Sequence, residues 1–351
     1  SQELGKLGGF LNKKTNGSST IHDVAELAGV SLATVSRVFN KKGNVREGTF
    51  NKIVEAARQL DYRVGELPNF SEAGMSNGGN DLIVFNVPSL NNPFYSKVIK
   101  GALSSASAYN FDMLVSECVI NDGNIKSVID MYKRVNAKGV ITMNLVQPNT
   151  IRMLDESVPV VQCGEYTENA KLPAVSIDDY AAAKRIVEHL LSIGKTKIAL
   201  INSPLASKYS RERRRGYVDT LRENGIDANP EWMMQVDEID AEKAFSAAVK
   251  LFSDKKRPDA IFAVSDVFAA GALRATKYAN LSVPNDVAIV GFDNLDFASM
   301  MIPSISSVRQ PRMQMGYLAG ELLIERIRNP KMEPKTILLD TELVIRESTL
   351  L

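Results

Sequence analysis

The chain has 351 residues, enough for two or three domains, and a 44% hydrophobic, 24% charged composition typical of a globular protein in water. Its formal net charge of +1 does not announce a polyanionic partner, but residues 1–64 hold 10 Lys and Arg against 6 Asp and Glu, leaving the remainder slightly acidic. No apolar run is long enough to span a membrane and no signal-peptide layout opens the chain, so a cytoplasmic protein without a membrane partner is expected.

Residues 1–19 are rich in Gly, Ser, Asn and Lys and read as a flexible N-terminal extension with no assigned role. From Thr20 the pattern changes. Ile21, Val24, Ala25 and Ala28 make one apolar stripe at helical spacing, with Thr20 as N-cap and Asp23 closing an acidic form of the capping box. Gly29 supplies a left-handed position that ends this helix, and Ser31 caps a second one whose Val35 and Val38 face the first. Two short helices so joined suit a helix-turn-helix, whose second helix enters the DNA major groove. Its outward face offers Leu32 and Ala33, suited to shape and thymine methyls, then Thr34, Ser36 and Arg37 for phosphates or bases, with Asn40 at the helix end. The plainer alternative is a small helical hairpin with a solvated polar face. A third helix follows through about Leu60, with Ile53, Ala56, Ala57 and Leu60 on its core side, and Tyr62 closes the unit.

The run T-I-x-D-V-A-x-x-A-G-V-S-x-x-T-V-S-R-V-x-N, residues 20–40, resembles the headpiece of the lactose/galactose repressor (LacI/GalR) family of bacterial transcription regulators. The resemblance implies an all-α helix-turn-helix DNA-binding domain over 20–64. Its DNA contacts fall among Thr20, His22, Ser31, Leu32, Ala33, Thr34, Ser36, Arg37 and Asn40. In that family a hinge helix follows and wedges a leucine into the minor groove. Here residues 65–80 read Gly-Glu-Leu-Pro-Asn-Phe and onward, where Pro68 breaks any helix begun before it and acids stand where bases are expected. A helix from Asn69 to Met75, with Leu67 or Phe70 as wedge, and a plain flexible linker both stay open.

From Asp81 strands and helices alternate. Strands are expected at 82–87, 111–116, 139–143, 158–163 and 174–177, with helices at 94–110 and 125–136 between them. A second unit repeats the rhythm. Its helices fall at 180–193, 211–224, 241–252 and 267–278, and its strands at 197–202, 233–236, 260–265 and 287–292. A helix at 313–327 and a strand region at 337–346 finish the chain. This pattern implies parallel sheets covered on both faces. It fits one large doubly wound enzyme domain or two similar lobes. The resemblance implies the latter, an α/β bilobal periplasmic-binding-protein-like trunk over 81–351. Its first lobe would span about 81–177 plus 308–330, and its second about 178–307 plus 331–351.

Open parallel sheets bind ligands beyond the carboxyl ends of their strands. Polar residues there include Asn92 with Phe94 and Tyr95, Asp178, Ser265, Asp266 and Asp293, while Arg213 lies early in a following helix. Each alone reads as a cap or solvated loop residue; their recurrence at strand ends suggests one cleft. The resemblance implies effector contacts from the Asn92–Tyr95 loop, from Arg213 in R-x-x-G-Y and from Asp293 in G-F-D-N. Ser265 stands where the family has Asn, which loosens any transfer of effector identity, and Ser207 and Tyr209 occupy the loop where the family varies its selectivity. An Arg and an Asp facing one cleft suit a polyhydroxylated ligand, a sugar or sugar derivative, although a purine or a phosphorylated sugar is also compatible.

Cys118 and Cys163 are expected as buried free thiols. No phosphate-binding loop, dinucleotide fingerprint or zinc-hydrolase motif occurs, and neither His22 nor His189 has an evident nucleophile partner, so neither catalysis nor a cofactor or metal is expected. The reading is a repressor-type regulator that binds a pseudo-palindromic double-stranded operator as a homodimer, its DNA affinity coupled to a small effector between the lobes. The C-terminal segment lacks a leucine heptad, so a dimer is expected rather than a tetramer. Two alternatives are a regulator answering to a protein partner and a sugar-modifying enzyme with an added DNA head. A free-standing sugar-transport protein is excluded by the attached headpiece.

Overall fold

A computed structural model describes residues 20–39, 45–60, 62, 80–253 and 256–350. The expectations for residues 1–19, for Asn40 and for the linker up to residue 79 lie outside the described residues. The chain divides into two compact units at residues 75 and 76.

The first unit comprises α1 (Ile21–Ala28), α2 (Leu32–Phe39) and α3 (Glu47–Gln59). At the start of α1 the amide of Thr20 donates to the Asp23 carboxylate at 2.7 Å, and the Thr20 hydroxyl accepts the Asp23 amide, so two orphan donors are satisfied reciprocally. Gly29 takes φ 64°, the left-handed conformation that stops the helix. Val24 and Ala28 of α1, Val35 and Val38 of α2, and Phe50, Ile53 and Ala57 of α3 are buried as its core. The Phe39 and Tyr62 rings stack with centroids 5.6 Å apart.

The second unit begins with β1 (Asp81–Val87), α4 (Phe94–Ala108), β2 (Phe111–Glu117), α5 (Ile125–Arg134), β3 (Ala137–Thr142), α6 (Pro148–Ser157), β4 (Val160–Cys163) and β5 (Ala174–Ile177). It continues with α7 (Asp179–Ser192), β6 (Ile198–Asn202), α8 (Lys208–Glu223), β7 (Met233–Gln235), α9 (Ala241–Ser253), β8 (Ala260–Ala263), α10 (Asp266–Tyr278), β9 (Ala288–Asp293) and β10 (Ser306–Arg309). It ends with α11 (Arg312–Arg328), β11 (Thr336–Leu339) and β12 (Glu342–Val344).

Two six-stranded sheets result, ordered β11-β5-β4-β3-β1-β2 and β12-β10-β9-β8-β6-β7. Every pairing is parallel except β10 with β12. Ile83, Phe85 and Val87 pack into the same core as Val98 of α4 and Leu322 of α11, while Val84 between them packs with Ile129 of α5 and Leu154 of α6. A strand covered on both faces reads as an unbroken apolar run, which is why β1 is plain in the sequence. Helices α4 and α11 meet backbone to backbone, because a Cβ on Gly101 or Gly316 would overlap the carbonyl of Met313 or Val98.

Four points differ from expectation. Helix α6 was not foreseen. The strand region at 337–346 is two strands in different sheets, β11 beside β5 and β12 antiparallel to β10. The lobe boundary moves with it: residues 336–339 belong to the first sheet and 308–309 to the second. Between β11 and β12 the chain passes from one sheet to the other through Asp340–Thr341, where Thr341 accepts from the Arg185 guanidinium of α7. The chain therefore crosses between the lobes three times, after β5, after β10 and after β11. Finally, Cys163 is buried, but Cys118, which follows the edge strand β2, is only half-buried; both are free.

Candidate functional site

On the first unit, α2 leaves Leu32, Ala33 and Arg37 exposed, with Thr34 and Ser36 half-buried. The Ser31 hydroxyl accepts the Thr34 amide at 3.2 Å and shares a hydrogen bond with the Thr34 hydroxyl at 2.8 Å, so both residues close the first turn of the helix. Thr20 and His22 are exposed on α1. The exposed face thus begins with small and apolar side chains and ends in a guanidinium, a surface suited to base edges and phosphate.

On the second unit a cavity of about 110 Å³ lies between the lobes. Asn92, Phe94 and Tyr95 line it from the first lobe, and Tyr209, Arg213, Ser265 and Asp293 from the second. Asn92 accepts the Phe94 amide at 3.0 Å and so fixes the start of α4, which presents the Phe94 and Tyr95 rings edge to face, 5.7 Å apart. Burial raises both Tyr95 and Tyr209 above the usual phenol value, keeping them neutral donors.

Arg213 is buried and already engaged. Its Nε donates to Asp179 Oδ1 at 2.9 Å, one terminal nitrogen lies 2.8 Å from the same oxygen, and the other donates to the Val264 carbonyl at 2.6 Å. The guanidinium carbon stands 3.4 Å from the centre of the Phe292 ring. Lys208 completes the group, its ammonium 3.3 Å from the other Asp179 oxygen. Asp293 ends β9 with φ 102°, a strained conformation for a residue with a side chain, and accepts from Gln310 Nε2 at 2.7 Å. Burial lifts its carboxyl to about 6 against the pull of Arg213 and Arg312.

Three expected cleft residues stand elsewhere. Asp178 is exposed and accepts the Ala181 amide at 2.9 Å as the N-cap of α7; the cavity residue is its neighbour Asp179. A capping carboxylate must fold back on its own helix, so only the next residue points inward. Asp266 is buried behind the cavity wall, accepting from the Ser307 hydroxyl at 2.6 Å and the Leu295 amide at 2.6 Å. Ser207 precedes α8 at its N-cap position, half-buried and off the cavity. Ser265 lines the cavity but also caps α10, accepting the Val267 amide at 3.1 Å.

Sequence reasoning missed Glu165, Asp179 and Gln310. Glu165 follows β4 in the first lobe, and its carboxylate accepts the Lys208 and Tyr209 amides at the start of α8 in the second, at 2.8 and 2.9 Å. Burial raises its carboxyl above the usual value while those amides oppose the rise. The strand-end rule that found Asn92 and Asp293 reaches Glu165 when applied to the strand at 158–163.

A helix-turn-helix head on a trunk of two parallel sheets with a polar cleft between them defines a class of regulators, and comparison with known proteins places the chain in it. Residues 20–64 match the model of bacterial regulatory proteins of the lacI family, and residues 187–349 match a periplasmic binding protein-like domain. The chain is 32% identical over 339 residues to the HTH-type transcriptional repressor CytR of Escherichia coli, covering 96% of this chain and 98% of that one. The cellobiose complex of the transcriptional regulator CelR is 28% identical with a TM-score of 0.69, covering 94% of this chain and 99% of that one. The lac repressor dimer bound to operator and the anti-inducer ONPF is 25% identical with a TM-score of 0.70, covering 95% and 100%. The chain belongs to the LacI family of bacterial regulatory proteins and is a DNA-binding transcription regulator.

Proposed function

We propose that this protein represses transcription from a pseudo-palindromic operator as a homodimer, its DNA affinity set by a small sugar-like effector held between the lobes. One observation carries the effector half of this reading: Arg213, Asp293 and the Phe94–Tyr95 pair, from different elements of both lobes, converge on one cavity. Aromatic faces with a carboxylate acceptor and a guanidinium donor are the chemistry that grips a polyhydroxylated ring. The operator-bound lac repressor dimer and the cellobiose complex of CelR support the dimer and the ligand class. An effector that prefers one lobe arrangement shifts the arrangement of the whole molecule, and its coupling to operator affinity is then reciprocal.

We read the cleft as non-catalytic and the site of action as the cytoplasm. The Ser265 hydroxyl is committed to a helix cap, and Asp179 is committed to Arg213 and Lys208. Among the described residues no helix is long and apolar enough to cross a membrane.

The test begins with selection of the operator from a random DNA library by the full chain. Binding to that operator is then measured by fluorescence anisotropy with and without sugars and nucleosides. The reading expects one compound to change operator affinity at least fivefold, and the same compound to lose its effect in Asp293→Asn. Selection of no consensus sequence would overturn the operator reading. A consensus bound identically under every compound would overturn the effector reading.

A further inference from the structure

We propose that the cleft takes an uncharged or cationic effector and rejects phosphorylated and carboxylated ones. This rests on the small-effector reading above and narrows it. The sequence, with an Arg and an Asp at the cleft, leaves a phosphorylated sugar open; the geometry does not.

The guanidinium of Arg213 is the only cationic group that lines the cavity among the described residues. Two of its nitrogens are drawn onto Asp179 at 2.9 and 2.8 Å, and the third onto the Val264 carbonyl at 2.6 Å. Two further cations stand outside the lining: Lys208 is turned to the other Asp179 oxygen and lies 4.8 Å from the Tyr166 ring centre, and Arg312 donates to the Asn294 carbonyl at 3.1 Å. Three of the five N–H groups of Arg213 are thus committed; the one left on each terminal nitrogen serves a hydroxyl, on a guanidinium whose charge Asp179 already matches, so no net positive charge is left for a phosphate.

The acceptors are arranged the other way. The carboxylates of Glu165, Asp179 and Asp293 all line the cavity. Asp293 is the one left short of donors: Gln310 Nε2 donates to its Oδ1 at 2.7 Å, and among the described residues no hydrogen bond reaches its other oxygen. On a residue that lines the cavity, that open position is one a ligand's donor can fill. Hydroxyl, amide or ammonium hydrogens on an effector fill that position. A phosphate or carboxylate there would set like charges together in a place shielded from water.

The experiment is titration calorimetry of the full chain with matched probes. Ribose, glucose and adenosine are compared with ribose 5-phosphate, glucose 6-phosphate and adenosine 5′-monophosphate, and cellobiose is added as a further neutral sugar. The inference expects every pair that binds to favour the neutral member at least tenfold. It also expects Asp293→Asn to weaken the neutral member at least tenfold and to narrow the discrimination below threefold. A phosphorylated probe bound as tightly as its neutral parent would overturn the inference and leave the small-effector reading standing. Silence from all seven compounds, in protein that still binds its selected operator, would count against both. The comparison on the unaltered chain decides whether or not the Asn variant folds.

Discussion

Asp266 and Gly291 occupy the same small volume behind the cleft. A side chain on Gly291 would overlap the Asp266 carboxylate, so the glycine of G-F-D-N is required by a buried acid and not by its own backbone angle. Burial, then the neighbouring charge of Asp293, lifts the Asp266 carboxyl to about 8. The folded chain therefore holds this proton more tightly than the unfolded chain, whose carboxyl titrates near 3.8. The resulting stabilisation is complete below about pH 4 and is lost as the pH rises through 8. Asp266→Asn lacks this dependence, so its melting temperature relative to the parent should climb between about pH 4 and 8 and level off above 8. A difference that stays flat over that range would mean that Asp266 is already ionised in the folded chain. The pair Asp178–Asp179 shows the limit of reading such residues from sequence. Two adjacent acids at a helix start compete for the cap, and only the path of the preceding strand decides which one turns inward.

At the scale of elements, the lobes are held together by a helix terminus. Both oxygens of Glu165 receive amides from the first turn of α8, where the partial positive charge of the helix also falls. The exposed ion pair of Lys97 with Asp296, at 2.5 Å, joins the lobes on another side and adds little in water. Glu165→Gln keeps the shape and removes the charge. It should lower effector affinity by about 1–2 kcal/mol, roughly 5–30-fold, without changing the trunk's secondary structure. Small-angle scattering should show a larger radius of gyration in the variant; affinity and radius both matching the parent would dismiss the clasp. The elements themselves were largely legible, because parallel strands covered on both faces announce themselves as apolar runs. Helix α6 escaped because only Thr150, Ile151 and Leu154 of its ten residues are buried, too few to make a stripe. Strands β11 and β12 read as one because only Asp340–Thr341 separates them, with no glycine or proline to mark the break. Lobe membership depends on which sheet receives each strand, and short edge strands carry no local mark of that choice.

For the whole molecule, DNA affinity is the property that integrates both units. Arg37 is exposed on α2 next to the hydroxyl-bearing first turn. If it meets a phosphate, Arg37→Ala weakens operator binding and lowers the slope of log affinity against log salt by about 0.9 per headpiece. If it meets a base edge, affinity falls and specificity relaxes at one position while the slope holds. Unchanged affinity would reject the assigned orientation of α2. The headpiece motif was the most legible part of the chain, since its capping, turn and core residues are all local in sequence.

The threefold crossing between lobes also sets an order of events at the ribosome. The first sheet gains its final strand, and α4 its covering helix, only when α11 and β11 emerge, about 200 residues after α4 has left the exit. At about 5–20 residues per second, that interval lasts roughly 10–40 s. Over the same interval the second sheet acquires five of its six strands from one contiguous stretch. The first sheet has likewise drawn five of its six strands from residues 81–177, so the difference lies in α4, whose face around Gly101 waits uncovered until α11 reaches it.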